Sequence, residues 1–303
     1  MDALSDALSL LKPRTHVSAG LHAGGDWALS FPSHEGIKFN AVLQGRCHIQ
    51  VENDAACELT AGDCFLLTTG RPFVLTTDLA LPLMPSHMIY DRAENGIALC
   101  NDGGDFVLVG ARFAFDASHA NTLLGCLPSV VVVRGLSEQA SVLRSALDLF
   151  TTEMRQLQPG GVLITDNLAQ IMLVQVLRLY LAQHRDGHVG WLYALSDPQL
   201  GRSINAMHTE PGKRWSVATL ARLAGMSRSV FALRFRQSVG MPPMDYLTRW
   251  RMLRASTLLR TTSSGISEIA RNTGYECENS FAIAFRRTLG CTPRQYRRSD
   301  DTN

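Results

Sequence analysis

Ile266-Ser267-Glu268-Ile269-Ala270-Arg271-Asn272-Thr273-Gly274-Tyr275-Glu276-Cys277-Glu278-Asn279-Ser280-Phe281-Ala282-Ile283-Ala284-Phe285-Arg286 is the stretch that decides how the end of the chain folds. Ile266, Ile269 and Ala270 recur at helical spacing, and Gly274-Tyr275 supplies a turn. Ser280, Phe281 and Phe285 then mark the inner side of a second helix. Two short amphipathic helices joined by a turn that holds a glycine form the pair that reads DNA, the second helix entering the major groove. The same plan occurs earlier: Ser216 caps a helix with Val217, Leu220, Ala221 and Ala224 on one face, and Gly225 makes the turn. Ser227 then caps a second helix whose expected inward face is Val230, Phe231 and Phe235. Between the two units, Met244 to Leu259 reads as one helix packed through Tyr246, Leu247, Trp250, Met252, Leu253 and Leu258.

Charge divides the chain in the same place. Residues 200–303 hold 17 Lys+Arg against 7 Asp+Glu, whereas the remainder holds 12 against 20, although the net charge is only +2. In the basic third Arg outnumbers Lys 16 to 1, and the guanidinium fork suits phosphates and guanine edges. If the phenylalanines face inward, Arg228, Ser229, Ala232, Leu233 and Arg236 of the first reader helix are left for DNA. Glu278, Asn279, Ala282, Ile283 and Arg286 are their counterparts in the second. Asn pairs with adenine, Glu accepts from cytosine, small apolar side chains meet thymine methyls, and Arg binds phosphate or guanine.

The spacing Ile266-x-x-Ile269-Ala270-x-x-x-Gly274-Tyr275, then Phe281-x-x-x-Phe285-Arg286-x-x-x-Gly290-x-Thr292-Pro293-x-x-Tyr296-Arg297, resembles the closing motif of the AraC/XylS family of transcription regulators. One departure is Cys277, where the family has a small hydroxyl residue. The resemblance implies a sequence-specific regulator, an activator, with promoter DNA and RNA polymerase as partners and a cytoplasmic location.

The rest of the chain reads as a second domain. From Val17 to Phe115, β-like runs alternate with turn signals: 27–31, 37–43, 47–51, 64–67, 73–76, 106–109 and 111–115. Phe39 to Gly45, Leu59 to Leu67 and Val109 to Phe113 resemble a cupin-type barrel, the sensor fold that precedes the DNA-binding end in one branch of that family. Metal-binding cupins carry histidines where this chain has Asn40 and Phe73, so no metal and no cofactor are expected. Seven cysteines without a CxxC pair read as reduced thiols. No start resembling a secretory signal is present, and the apolar runs are short or interrupted, so no membrane span is expected.

The expected architecture is therefore α+β and multidomain. A cupin-like β-barrel with trailing helices occupies 1–185, a linker 186–198, and an all-α double helix-turn-helix domain 199–298. Residues 1–12 read as an amphipathic helix with Leu4, Leu8 and Leu11 on one side. Leu136–Gln158 and Val162–His184 read as long helices that either pack on the barrel, form a homodimer interface, or do both. What the barrel senses stays open between a small molecule near Phe39, Asn40, Cys64, Phe65 and Phe73 and an oxidant acting on Cys47, Cys64 or Cys100. A cupin enzyme fused to a DNA-binding tail and an unliganded, vestigial barrel are the competing readings.

Overall fold

The computed structural model describes residues 2–11, 14–94, 96–115, 123–135, 140–156, 158–184 and 189–298. The chain forms two compact units, one of residues 13–183 and the other of residues 1–12 together with 184–303.

In the first unit, strands β1 (Arg14–Ala23), β3 (Ile37–Gln44), β6 (Cys64–Leu67), β9 (Ile97–Cys100), β10 (Phe106–Ala114) and β11 (Val130–Val133) form one sheet in the order β11-β6-β3-β10-β1-β9. Strands β2 (Ala28–Phe31), β4 (Arg46–Val51), β5 (Cys57–Thr60), β7 (Phe73–Thr76) and β8 (Met84–Pro85) form the other, ordered β5-β4-β7-β2-β8. The runs expected at 106–109 and 111–115 are one strand, β10. A short helix, α2 (His87–Tyr90), follows β8. The core between the sheets comes from alternating positions: Val42 on β3, Phe65 and Leu67 on β6, Leu108 on β10, with Ile49, Val51, Phe73 and Leu75 opposite. The corner at Gly62-Asp63 is fastened by a buried carboxylate. Asp63 accepts from the Thr60 N–H at 2.9 Å, the Thr60 hydroxyl at 3.2 Å, the Gly135 N–H at 3.2 Å and Arg134 Nη1 at 2.7 Å.

The trailing helices are α3 (Ser141–Gln156) and α4 (Gly161–Gln183); positions 136–139 and 157 of the first expected helix lie outside the described residues. Helix α4 is long and apolar enough to cross a membrane by length and composition, contrary to the expectation from interrupted runs. Part of its surface is buried where it packs on α3, β1, β6 and β11.

The second unit contains two elements expected elsewhere. Helix α1 (Ala3–Leu11), which the sequence groups with the barrel, joins the helical unit. Its Ala3 N–H donates to Asn205 Oδ1 at 2.9 Å, and Asp6 meets Arg254 at 3.1 Å. Much of the expected linker is also structured: α5 (Trp191–Leu195) buries Trp191, Leu192, Tyr193 and Ala194, while positions 185–188 lie outside the described residues. Then follow α6 (Leu200–Thr209), α7 (Val217–Leu223), α8 (Arg228–Val239), α9 (Pro243–Thr261), α10 (Ile266–Asn272), α11 (Glu278–Leu289) and α12 (Pro293–Arg298). His208 fills the centre. Its ring stacks on Trp250 at 3.8 Å and Trp191 at 5.4 Å, and its Nε2 lies 2.6 Å from the Tyr246 hydroxyl. Burial, assisted by the Arg254 charge, lowers its pKa to about 3, so the ring is neutral at physiological pH.

Candidate nucleic-acid interface

Helices α7 and α8 form one reader unit, α10 and α11 the other. Ser216 and Thr219 close a reciprocal capping box at the start of α7, with Thr219 N–H donating to Ser216 Oγ at 3.1 Å and Ser216 N–H to Thr219 Oγ1 at 2.9 Å. Gly225 turns the chain at φ +67°, and the Ser227 hydroxyl accepts the Val230 N–H at 3.3 Å to start α8. In the second unit Gly274, at φ +84°, does the same work. A β-carbon there would come within 2.6 Å of Arg251 Nη2 and 2.8 Å of the Gly212 carbonyl, so the site admits only glycine.

The two reader helices are anchored alike. Phe231 and Phe235 lie 5.5 Å apart at 54°, and Phe281 and Phe285 lie 5.6 Å apart at 54°; all four are fully buried. Each helix ends at a left-handed glycine, Gly240 or Gly290. Burying each phenylalanine contributes roughly 1.5–3 kcal/mol and fixes which face turns outward. Helix α9 connects the units through buried Tyr246, Leu247, Trp250, Met252 and Leu253, while Leu258 is half-buried.

The outer faces carry the expected residues. Arg228, Ser229, Leu233 and Arg236 on α8, and Asn279, Ile283 and Arg286 on α11, are exposed; Ala232 and Ala282 are half-buried beside them. Leu233 and Ile283 are 60% and 63% exposed, a large apolar area for water to cover unless a partner covers it. Among the described residues, Arg228, Arg236 and Arg286 have no acidic partner. Two inward assignments need correction: Val230 is 53% exposed and Ser280 is exposed, because the buried stripe follows Phe231, Phe235 and Val239 and its equivalent on α11. Val230 therefore joins the outer face, as do Gln237 and Arg287. Arg234, by contrast, is held by Asp197 at 2.5 Å and Gln199 at 2.8 Å.

Glu278 is less free than its position suggests. Its carboxylate accepts the Ser267 hydroxyl and lies 3.9 Å from Arg294, so it braces the start of α11. At the cap itself, the Cys277 sulfur lies 3.0 Å from the Ser280 hydroxyl, which, with the backbone N–H groups of Ser280 and Asn279, lowers the thiol's pKa.

Of the barrel residues singled out, Asn40, Phe65 and Phe73 face the space between the sheets. Phe39 and Cys64 lie one residue out of phase with Asn40 and Phe65, on the opposite face, so the five do not form one site. Burial raises the Cys47 and Cys64 thiols to about 12 and also raises Cys100, which suppresses the thiolates that an oxidant attacks.

A cupin-like barrel joined to paired helix-turn-helix units defines a DNA-binding transcription regulator. The chain matches the Cupin family over residues 2–182 and the Helix-turn-helix domain family over 220–299. It is 40% identical over 299 residues to an AraC-like transcription regulator of Streptomyces lividans, covering 98% of both chains. It is 29% identical over 302 residues to the RCS-specific HTH-type transcriptional activator RclR of Escherichia coli, covering 98% of this chain and 97% of that one. Among solved structures, the DNA-binding domain of AdpA in complex with a target DNA is similar at 34% identity, over 34% of this chain and 93% of that one, with a TM-score of 0.33. The chain belongs to the AraC family of transcription regulators.

Proposed function

We propose that this regulator reads promoter DNA with both units at once, through Arg228, Ser229, Ala232, Leu233 and Arg236 on α8 and Asn279, Ala282, Ile283 and Arg286 on α11. Glu278 acts mainly as a brace. The observation that carries this reading is the matched pair of outer faces, each with exposed arginines that lack acidic partners among the described residues and one exposed branched apolar side chain. The arginines gain phosphate oxygens, and Leu233 and Ile283 gain thymine methyls in place of water.

The regulator acts in the cytoplasm as an activator that engages RNA polymerase, and the name of the Escherichia coli relative supports that direction. Its barrel responds to a small molecule rather than to oxidation of Cys47 or Cys64, since burial keeps both thiols protonated. It works as a homodimer through Val142 and Leu149 of α3 and Val162, Leu163 and Ile171 of α4, all left exposed in the single chain. Footprinting and run-off transcription with the full chain on DNA upstream of its neighbouring genes test the reading. Protection in two successive major grooves with increased transcript supports it; binding without sequence preference overturns it.

A further inference from the structure

Two half-buried cations on the inner face of the barrel have no ion-pair partner among the described residues. Lys38 and Arg112 are register partners on adjacent strands β3 and β10. Lys38 alternates in phase with Asn40 and Val42, and Val42 lies in the core between the sheets. Its ammonium stands 5.0 Å from the centre of the Phe73 ring and 5.5 Å from that of Phe31, and those two rings stack at 4.5 Å. Burial and the Arg112 charge both push the Lys38 pKa down.

The neighbouring polar groups are also unsatisfied. Asn40 Nδ2 is buried with no partner, and its amide oxygen lies over Gly110, where a β-carbon would come within 2.6 Å. His34 packs edge-on against Phe73 at 5.8 Å, and both of its ring nitrogens are buried without partners. Burial, then Lys38 and Arg112, lower its pKa to about 4. Among the described residues, neither Lys38 nor Arg112 has an ion-pair partner, and no carboxylate acts on Lys38 or His34. A cavity of about 390 Å³ opens beside His34, walled by Glu35, Ile37, Thr68, Phe115, Leu124 and Leu127.

Holding two half-buried like charges beside an unpaired amide and an unpaired imidazole is unfavourable unless a partner of opposite charge arrives. A metal ion is the wrong partner, because it would meet Lys38 and Arg112 at close range. We propose that the barrel binds a small organic carboxylate with an apolar or aromatic body. The carboxylate lies between Lys38 and Arg112 and takes the Asn40 N–H. The body rests on the Phe31–Phe73 stack, with His34 at its edge. The inference rests on the small-molecule sensor reading and names the chemical class that reading leaves open.

Isothermal titration of the full chain with phenylacetate and 4-phenylbutyrate, against their uncharged amides, tests it. At least one acid should bind at least about tenfold more tightly than its amide. Lys38→Met and Arg112→Met, which keep an apolar stem, should each remove that preference. Because each variant also relieves an uncompensated charge, the unliganded Lys38→Met protein should unfold at the same temperature as the native chain or higher. Amides that bind as well as acids would overturn the carboxylate assignment and leave a small-molecule sensor standing. Binding of neither series, or an acid preference that survives both variants, would overturn the site itself, while footprinting of the same protein independently reports its DNA reading.

Discussion

Replacing Arg251 by Met would remove one guanidinium that holds the two reader units in register. Arg251 lies on α9, between the units. Its Nε donates to the Pro211 carbonyl at 2.7 Å and its Nη2 to the Lys213 carbonyl at 2.8 Å, just before the first unit. The same group faces the Tyr275 ring at 5.8 Å and closes over Gly274 in the turn of the second. A hydrogen bond from a charged donor contributes about 1.5–3 kcal/mol when shielded, and less where water can replace it, as at Lys213. Adding about 0.5–1 kcal/mol for the ring contact, Arg251→Met should cost roughly 3 kcal/mol. The sequence has four tryptophans, and Trp27 is the one in the barrel unit. In a Trp27→Phe background, fluorescence therefore follows the helical unit, and its urea midpoint should fall by about 1–2 M. Affinity for a complete site should drop about tenfold, while affinity for DNA carrying one unit's contacts changes about twofold or less. A loss of stability below about 0.5 kcal/mol would show that Arg251 is merely a solvated cation. Equal weakening on complete and half sites would show that it does not set the spacing.

Asn279→Ala should cost about 1–3 kcal/mol on the cognate site and little on random DNA, measured by competition binding; an equal loss on both would make it a backbone contact. Arg286→Ala should weaken every sequence and reduce the slope of log affinity against log salt by about one, and an unchanged slope would remove its phosphate contact. His208 titrates at 6.5 when unperturbed but at about 3 in the fold, so the unfolded chain takes up a proton that the folded one refuses. Stability present above pH 6.5 is therefore lost as pH falls, by roughly 3 kcal/mol at pH 4, and urea titrations of His208→Phe should show a flatter profile. Asp63→Ala, which strands the donors of Thr60, Arg134 and Gly135, should destabilise the barrel by roughly 2–4 kcal/mol in urea titrations followed by far-ultraviolet circular dichroism.

The helix-turn-helix units were legible because their information is local. Glycine turns, hydroxyl caps and phenylalanines four apart state both the helices and their buried faces. The errors there, Val230 and Ser280, came from extending the buried stripe one residue ahead of each first phenylalanine, which is about 100° around the helix. Trp191-Leu192-Tyr193-Ala194-Leu195 was readable as a buried helix, but the Gly and His before it drew it into a linker. Helix α1 was legible as amphipathic, yet nothing in Leu4, Leu8 and Leu11 names the surface they cover; chain proximity suggested the barrel, and packing chose α6 and α9. Strands β1 and β9 lack apolar alternation and depend on pairing with distant residues. The Lys38–Arg112 pair depends on register between β3 and β10, which no local pattern states.

The central claim is that two reader helices on one stiff spacer enter successive major grooves. Helix α9 has 19 residues, so it spans about 28 Å, and it can serve only grooves about one duplex turn, roughly 34 Å, apart. The decisive measurement is the affinity of the full chain for its footprinted site before and after insertion of half a turn, about 5 base pairs, between the two protected grooves. Affinity should fall to that of a site with one groove's contacts alone. Affinity unchanged within about twofold would contradict simultaneous reading by α8 and α11.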